Sequence, residues 1–351
     1  MDLGQTATIL HKPDVVPAME AIRIASYHRR DFDLAVVRTH PCDHDQIRSA
    51  LLPPRHATTS TLGRLDILPT ELVHGICLRL DIRSLFRFRQ VNRRGQQIVR
   101  ATRLYQAVID HALEALCVIL RTNTASWFTL SDLFEVLCTK ECQFCGAFGG
   151  FLFLPSFARC CFTCIREDNL PGVLPLSILK HRIKPRSGRR PGSIPTVRTL
   201  PGIYAMDETP RKRRIAVVLR DAVNPLGLSD HCDNPRVQRS TSTTLLPYMV
   251  TTALPYFDRG SGAVQRGVSC SGCQIALEKA LDASRVGSAA CAWRDKVYSH
   301  DGFRDHFRDC QEARRLWELS GQGLSIVNVS EFVRRGGYFK KRDVVMSFNG
   351  R

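Results

Sequence analysis

Apolar residues recur every three or four positions along residues 65–137, which is the spacing of one face of a helix. In LDILPTELVHGICLRL the residues Leu72, Ile76 and Leu80 lie four apart, and Pro69 stands where a helix can begin without losing a hydrogen bond. The same periodicity predicts helices in DIRSLFRFRQVNRR, QQIVRATRLYQAVIDHALEALCVIL and FTLSDLFEVL. This part of the chain is therefore expected to be a small all-helical unit.

The pattern is weaker on both sides of this unit. Residues 1–61 mix Pro, His, Arg and Thr and are predicted to be disordered, with a short helix around PAMEAIRIASYHRR as the alternative. In the Pro-, Gly- and Arg-rich segment 176–230, RRIAVVL is the one predicted strand. Farther on, CQIALEKALDASRV and DGFRDHFRDCQEARRLWELS are predicted helices.

The charge of the chain is strongly positive and unevenly distributed. The formal net charge is +17, and residues 171–220 carry twelve Lys and Arg against two acidic residues. Such a balance favours acidic partners, namely nucleic acid, an acidic protein surface or anionic lipid, although a basic run is more often only a solvated segment. The run RKRR, with KHRIKPRSGRR upstream, is also a candidate nuclear import signal.

Two features of the sequence indicate a reducing compartment. No window approaches 18 consecutive apolar residues, so no membrane span and no membrane partner are expected. The start MDLGQTATILHKPD lacks the basic head and apolar run of a secretory signal. We therefore expect an intracellular protein of the cytoplasm, the nucleus or both, whose thiols stay free or bind metal.

The cysteines include two C-x-x-C pairs within one short stretch. Cys142 with Cys145 and Cys161 with Cys164 have the spacing of a four-cysteine zinc site. Gly146 allows the first loop to close, and GGFLFLP is expected to form an apolar hairpin arm before a short helix, as in a treble-clef knuckle.

Other interpretations of this cluster are weaker. Disulfides require an oxidising compartment, and a redox C-x-x-C or a catalytic cysteine would have a different local setting. Cys160 is an alternative to Cys161 as a ligand, although the two-residue gap of a C-x-x-C pair favours Cys161.

A second cluster of ligand residues lies near the C-terminus. Cys270 and Cys273 form CSGC, and His306 with Cys310 form an H-x3-C pair that would occupy one helical turn. Together they predict a C2HC zinc site, with His300 as the competing ligand, while a plain helix face is the alternative. Both predicted zinc sites have four protein ligands and no open position, so we expect structural metal and no enzyme activity.

The stretch LPTELVHGICLRLDIRSLFRFRQVNRR closely resembles an F-box. The matching positions are Leu68, Pro69, Glu71, Leu72, Ile76, Leu80, Leu85, Phe88, Val91 and Asn92. With YQAVIDHALEAL, RCCFTC, TLPGIY and VYSHDGFRDHFRDCQEARRLW, residues 65–318 resemble a group of filamentous-fungal F-box proteins. Many F-boxes have Cys or Ser and then Trp where this chain has Asn92 and Arg93.

The resemblance implies the substrate receptor of a cullin–RING ubiquitin ligase, which binds a Skp-type adaptor and a protein substrate whose identity the sequence does not give. The residues expected on the adaptor face are Leu68, Pro69, Leu72, Ile76 and Leu85, although they can also form an internal core. Nucleic acid is a less favoured partner, because the basic residues do not follow a recognition helix.

The expected fold is mainly α, with small zinc-stabilised α+β modules. The expected segments are a disordered start (1–61), the F-box (62–110), a helical extension (111–137), the four-cysteine module (138–175), a basic segment with one strand (176–230), the C2HC module with helices (231–320) and a tail of open order (321–351).

Overall fold

The computed structural model describes residues 18–39, 47, 49, 51, 60–180, 194–222, 244–283 and 288–338. About half of these residues are helical, and the strands are short. The described helices are α1 (Ala18–Ala25), α2 (Arg30–Ala35), α3 (Thr70–Arg79), α4 (Ile82–Val91), α5 (Arg93–Ala101), α6 (Arg103–His111), α7 (Leu113–Arg121), α8 (Leu130–Leu137), α9 (Phe162–Arg166), α10 (Leu176–Lys180), α11 (Leu246–Met249), α12 (Ser271–Asp282), α13 (Ser288–Asp295), α14 (His300–Asp309), α15 (Gln311–Leu319) and α16 (Glu331–Arg335).

The described strands form two three-stranded sheets and several two-stranded pairs. They are β1 (Ser26–Tyr27), β2 (Phe151–Phe153), β3 (Ala158–Cys160), β4 (Val173–Pro175), β5 (Val197–Arg198), β6 (Gly202–Tyr204), β7 (Thr209–Arg211), β8 (Ala216–Leu219), β9 (Thr251–Ala253), β10 (Tyr256–Phe257), β11 (Val264–Gln265) and β12 (Ser269–Cys270). The larger sheets have the orders β3-β2-β9 and β4-β8-β5, and all their pairs are antiparallel. The chain divides into two compact units, which are described separately below.

The larger unit comprises residues 28–267, 297–299 and 335–351. Its helices α3–α8 and the sheet β3-β2-β9 contribute to one continuous hydrophobic core. The predicted inward residues of the long helical stretch, such as Ile98, Tyr105 and Leu116, are buried. The stretch is not one helix, however, because the backbone leaves helical geometry at Thr102 and Ala112 and so forms α5, α6 and α7.

Side-chain caps fix where two of these helices begin. Asp81 accepts a hydrogen bond from the backbone N–H of Ser84 at 2.9 Å and starts α4 as expected from its short acidic side chain. At α8 the cap is Thr129, which forms a reciprocal capping box with Asp132.

Residues 18–39 differ from the expected disorder. In the larger unit, Phe32 of α2 stacks on Phe162 with ring centroids 3.8 Å apart, and the N–H of Val37 donates to the carbonyls of Tyr248 and Thr251. Residues 18–25 form α1, which agrees with the short helix considered as the alternative. The partners of Phe32 and Val37 lie more than 120 positions away in the sequence, so local composition could not reveal that this segment is ordered. Residues 1–17, 40–46, 48, 50 and 52–59 lie outside the described residues.

The basic segment contains more strands than the one expected. β8 lies within the predicted strand RRIAVVL, but β5 pairs with β8, and β6 pairs with β7 in a hairpin. These additional strands have only two or three residues, too few for a recognisable apolar alternation, so their pairing partners define them. Residues 181–193 and 223–243 lie outside the described residues.

The smaller unit comprises residues 1–27, 268–296 and 300–334. Its strand β1 pairs with β12, with Ser26 opposite Cys270 and Tyr27 opposite Ser269. Arg23 of α1 donates to the carbonyl of Gly323 at 2.6 Å, and the rings of Tyr27 and Phe332 meet edge to face. Residues of α1 and β1 are therefore part of the C-terminal helical module. The predicted bounds of that module, 231–320, did not include them.

The predicted helix over residues 301–320 is interrupted at one residue. α14 ends at Asp309 and α15 begins at Gln311, with extended backbone at Cys310 between them. After α15, residues 321–330 form turns and irregular structure, α16 follows, and residues 339–351 lie outside the described part of the chain.

A fully buried arginine joins three parts of the larger unit. Arg159 of β3 is 0% exposed and donates to the carbonyls of Gly149 (2.7 Å), Val136 (2.9 Å) and Leu254 (3.0 Å). Burial lowers the pKa of Arg159 to about 10, so the side chain is still charged at neutral pH. A Cβ on Gly149 would lie 2.6 Å from Cγ of Arg159, which explains why glycine occupies that position.

Replacing Arg159 with Met should lower the free energy of unfolding by about 3 kcal/mol or more, because three buried carbonyls lose their donor. The midpoint of the urea transition would measure the loss. Arg83→Met, on the exposed side of α4, is the matched control and should change stability by less than about 0.5 kcal/mol. Equal stability of the two variants would show that Arg159 does not hold these elements together.

Candidate metal centres and exposed apolar surface

The four cysteines predicted as the first site lie together in the larger unit. All four sulfurs are within 4.8 Å of one another, with Cys142 Sγ 3.8 Å from Cys164 Sγ and Cys145 Sγ 3.5 Å from Cys161 Sγ. Thiolates bound at about 2.3 Å to a tetrahedral metal ion are about 3.8 Å apart. A disulfide would bring two sulfurs to about 2.05 Å. The described cysteines are all free thiols, and this cluster could hold a metal ion.

Each C-x-x-C pair of this cluster is held by a tight backbone turn. The N–H of Cys142 donates to the carbonyl of Ala147 at 2.7 Å, and the N–H of Gly146 donates back to Cys142 at 2.9 Å. Gly146 has φ +73°, the left-handed conformation that glycine adopts without strain. The second pair starts α9, where Cys161 Sγ accepts the N–H of Cys164 at 3.4 Å. Cys161 and not Cys160 is therefore the residue that faces the cluster.

The second predicted set of ligands lies together in the smaller unit. Cys270 Sγ is 3.7 Å from Cys310 Sγ, and Cys273 Sγ is 3.3 Å from Nε2 of His306. These four ligand atoms are also within 4.8 Å of one another, so this cluster could hold a second metal ion. His306, and not His300, belongs to the cluster.

Both clusters use the start of a helix in the same way. Cys161 precedes α9 and Cys270 precedes α12, and each sulfur accepts the backbone N–H three residues later at 3.4 Å. The hydrogen bond to Cys142 and burial raise the pKa of Cys161, and the N–H of Cys164 opposes this by stabilising the thiolate. In the second cluster Cys310 stands at the start of α15, so the interruption of the predicted helix places this ligand at a helix end as well.

The surroundings of His306 include one group that the sequence did not indicate. Phe303 is fully buried next to the histidine, with ring centroids 6.2 Å apart. On α13, Trp293 lies nearly parallel to the imidazole, with centroids 6.0 Å apart. No local pattern connects residues 293 and 306, and only the fold brings the rings together.

Crowding of the thiols separates their pKa values. In the first cluster the hydrogen bond from Cys161 lowers the pKa of Cys142 to about 4, whereas burial raises the pKa of Cys164 to about 12. In the second, hydrogen bonds from Cys270 and Cys273 lower the pKa of Cys310, and the same contacts raise the pKa of Cys270. Without a cation, each cluster therefore carries only part of the negative charge that its sulfurs can hold. A bound divalent ion would allow all of them to ionise.

Each cluster supplies four ligand atoms from the protein, which is the number that a tetrahedral coordination sphere requires.

The residues predicted for an adaptor face fall into two groups. Leu68, Pro69, Leu72 and Ile76 are exposed at the start and on the outer side of α3, with Leu72 56% and Ile76 46% exposed. Leu85 is different, because it is 2% exposed and belongs to the core of the larger unit. The prediction that Leu85 lies on this face is therefore wrong. The helix buries Val73 and Cys77 instead of the Leu72–Ile76 side.

Exposed apolar residues also lie in the turn before α3, where Leu65 is 42% exposed, and at the end of α4. Ile67 is 82% exposed in the 3₁₀ turn before α3, and Val91 is 70% exposed at the end of α4. The side chain of Asn92 donates to the carbonyl of Thr61 at 2.8 Å, which holds the end of α4 against the chain that enters this turn. We call Ile67, Leu68, Leu72, Ile76 and Val91 the exposed apolar face.

Comparisons of the chain with protein-family models, with curated proteins and with solved structures find no match in any of the three. Within the described residues, no helix has both the length and the apolar character needed to cross a membrane.

Metal content should distinguish the two adjacent cysteines. The full chain should bind two metal ions, and Cys161→Ala should lose one of them because the first cluster loses a ligand. Cys160→Ala, a matched change one residue away, should retain both. Mass spectrometry of the purified proteins for bound metal would measure the ratio. Equal metal loss in the two variants would contradict the assigned ligand set.

Proposed function

We propose that the chain is the substrate-receptor subunit of a Skp–cullin–RING ubiquitin ligase, and that α3–α5 with the preceding turn form its F-box. The observation that carries the proposal is the exposed apolar face. Short helices that leave several large apolar side chains in water are typical of a surface that a partner covers. Burying one such side chain contributes roughly 1.5–3 kcal/mol, so a few of them account for stable binding.

Positive charge beside this face supports an acidic partner surface. Residues 82–101 contain six arginines and no acidic residue. Arg83, Arg87 and Arg93 are exposed, whereas Arg89 is buried. Exposed arginines raise the rate of association with an acidic surface and make that rate dependent on salt.

The position of Asn92 explains how this chain can depart from the usual F-box sequence. Its side chain accepts the N–H of Gly95 at 2.8 Å and so caps α5, while its amide group donates to Thr61. Asparagine therefore performs a capping role that serine, one of the usual residues at this position, can also perform.

We further propose that both metal ions are zinc. One donor set is four sulfurs and the other is three sulfurs and an imidazole nitrogen, and tetrahedral sites of this composition favour zinc. The knuckle at residues 142–146, the β2–β3 hairpin and α9 follow one another as in a treble clef. In this proposal the metals stabilise the folded lobes, one of which presents the substrate-binding surface, and the chain itself performs no catalysis.

Leu72→Ala combined with Ile76→Ala should weaken binding of a purified Skp-type adaptor by at least about tenfold, since two exposed side chains lose most of their apolar area. Isothermal titration calorimetry with the full chain would measure the change.

The matched control is Leu281→Ala with Leu319→Ala, which removes similar exposed apolar area from the smaller unit and should leave adaptor affinity unchanged. If the wild-type chain does not bind the adaptor, or binding survives the first double substitution, the proposal is wrong.

A further inference from the structure

A pocket of about 540 Å³ lies in the larger unit, between α10 and the connection from β7 to β8. Its described lining consists of residues 176–177, at the start of α10, and residues 210–216. β8 is the central strand of its sheet, and β7 is paired in register with β6, so both ends of the 212–215 connection are anchored. The size is in the range of pockets that bind small ligands or a few peptide residues.

Four consecutive basic residues, Arg211–Arg214, dominate this lining. Lys212 and Arg213 are exposed and form no ion pair with any residue that the structure describes. The described lining contains no acidic residue. Four adjacent cations repel one another, and a bound anion would relieve that repulsion.

The acidic residues nearest in the sequence, Asp207 and Glu208, are not among the residues that line the pocket. Asp207 and Glu208 lie in the turn of the β6–β7 hairpin, whereas Arg211 pairs with Gly202 at the opposite, open end. Asp207 accepts a hydrogen bond from Thr209 at 2.6 Å, and Glu208 is buried.

Additional positive charge lies close to the pocket. Arg198 of β5 is directly opposite Ala216 of β8, so both side chains are on one face of the sheet. Arg214 donates to the carbonyl of Arg121 at 3.4 Å, which places the exposed Arg121 in the same neighbourhood. The basic region therefore extends beyond the pocket itself.

The remainder of the described lining is Ser177 and four aliphatic residues, Leu176, Pro210, Ile215 and Ala216. No aromatic ring is among the described lining residues. Proteins that bind single-stranded nucleic acid stack bases on aromatic side chains, so this composition favours a peptide over a nucleic acid. A peptide can offer carboxylates to the arginines and an aliphatic side chain to the leucine and isoleucine.

We propose that this pocket binds a peptide segment in which clustered carboxylates stand next to an aliphatic residue. The site is separate from the exposed apolar face in sequence, and the inference goes beyond adaptor binding. It holds or fails whether or not the chain binds an adaptor.

Fluorescence anisotropy with the full, metal-containing chain tests the proposal directly. The probes are a labelled ten-residue peptide of Glu and Leu, the same peptide with Gln for every Glu, and one with Gly for every Leu. The Glu–Leu peptide should bind most tightly, and each replacement should weaken binding about tenfold or more, because each removes one of the two complementary chemistries.

The variant Lys212→Ala with Arg213→Ala should weaken binding of the Glu–Leu peptide about tenfold. Arg314→Ala with Arg315→Ala removes the same charge from two adjacent exposed residues of α15 and is the matched control, which should bind as the wild type does. Because all four side chains are exposed, both variants should retain the circular dichroism spectrum and metal content of the wild type.

Three results would overturn the proposal. They are equal affinity for the Glu and Gln peptides, equal weakening by the two double variants, and tighter binding of a single-stranded oligonucleotide that carries the same charge as the peptide. The last result would identify the basic region as a nucleic-acid site.

Discussion

Each unit of this protein is organised around four ligand atoms that lie within 4.8 Å of one another. Sulfur atoms 3.5–3.8 Å apart are not covalently joined, and their thiolate forms repel one another. A divalent cation at the centre would convert that repulsion into an attraction that holds the surrounding turns. With four thiolates and one divalent ion, the first cluster would carry a net charge of −2.

The ligand residues could be predicted because their spacing is local. Each C-x-x-C pair is one turn of backbone, and its geometry depends on neighbours such as Gly146 and on the N–H three residues later. The choice between Cys160 and Cys161 also followed from the two-residue gap. The path of residues 18–39 could not be predicted, because β1 pairs with a strand about 240 positions away. Trp293 beside His306 depends on the same kind of long-range packing.

Helical periodicity identified where α3 and α4 lie but not which side of each faces the core. In α3 the i, i+4 pair Leu72 and Ile76 appears as an inward face, yet the helix buries the adjacent pair Val73 and Cys77. Both pairs are apolar, so the pattern alone is ambiguous, and the surplus apolar side is the feature that supports a partner-binding role. The same ambiguity explains Leu85, whose spacing fits either an interface or a core. The exposed apolar face and the basic pocket are thus surfaces that folding itself does not require. We therefore propose a binding role for each of them.

The most direct test of the central claim is X-ray absorption at the zinc edge, with metal quantification, on the full chain purified without added metal. We expect two zinc ions per chain, with sulfur neighbours at about 2.3 Å and a smaller nitrogen contribution at about 2.0–2.1 Å. A chain that folds without bound metal, or a metal shell dominated by oxygen and nitrogen, would contradict it.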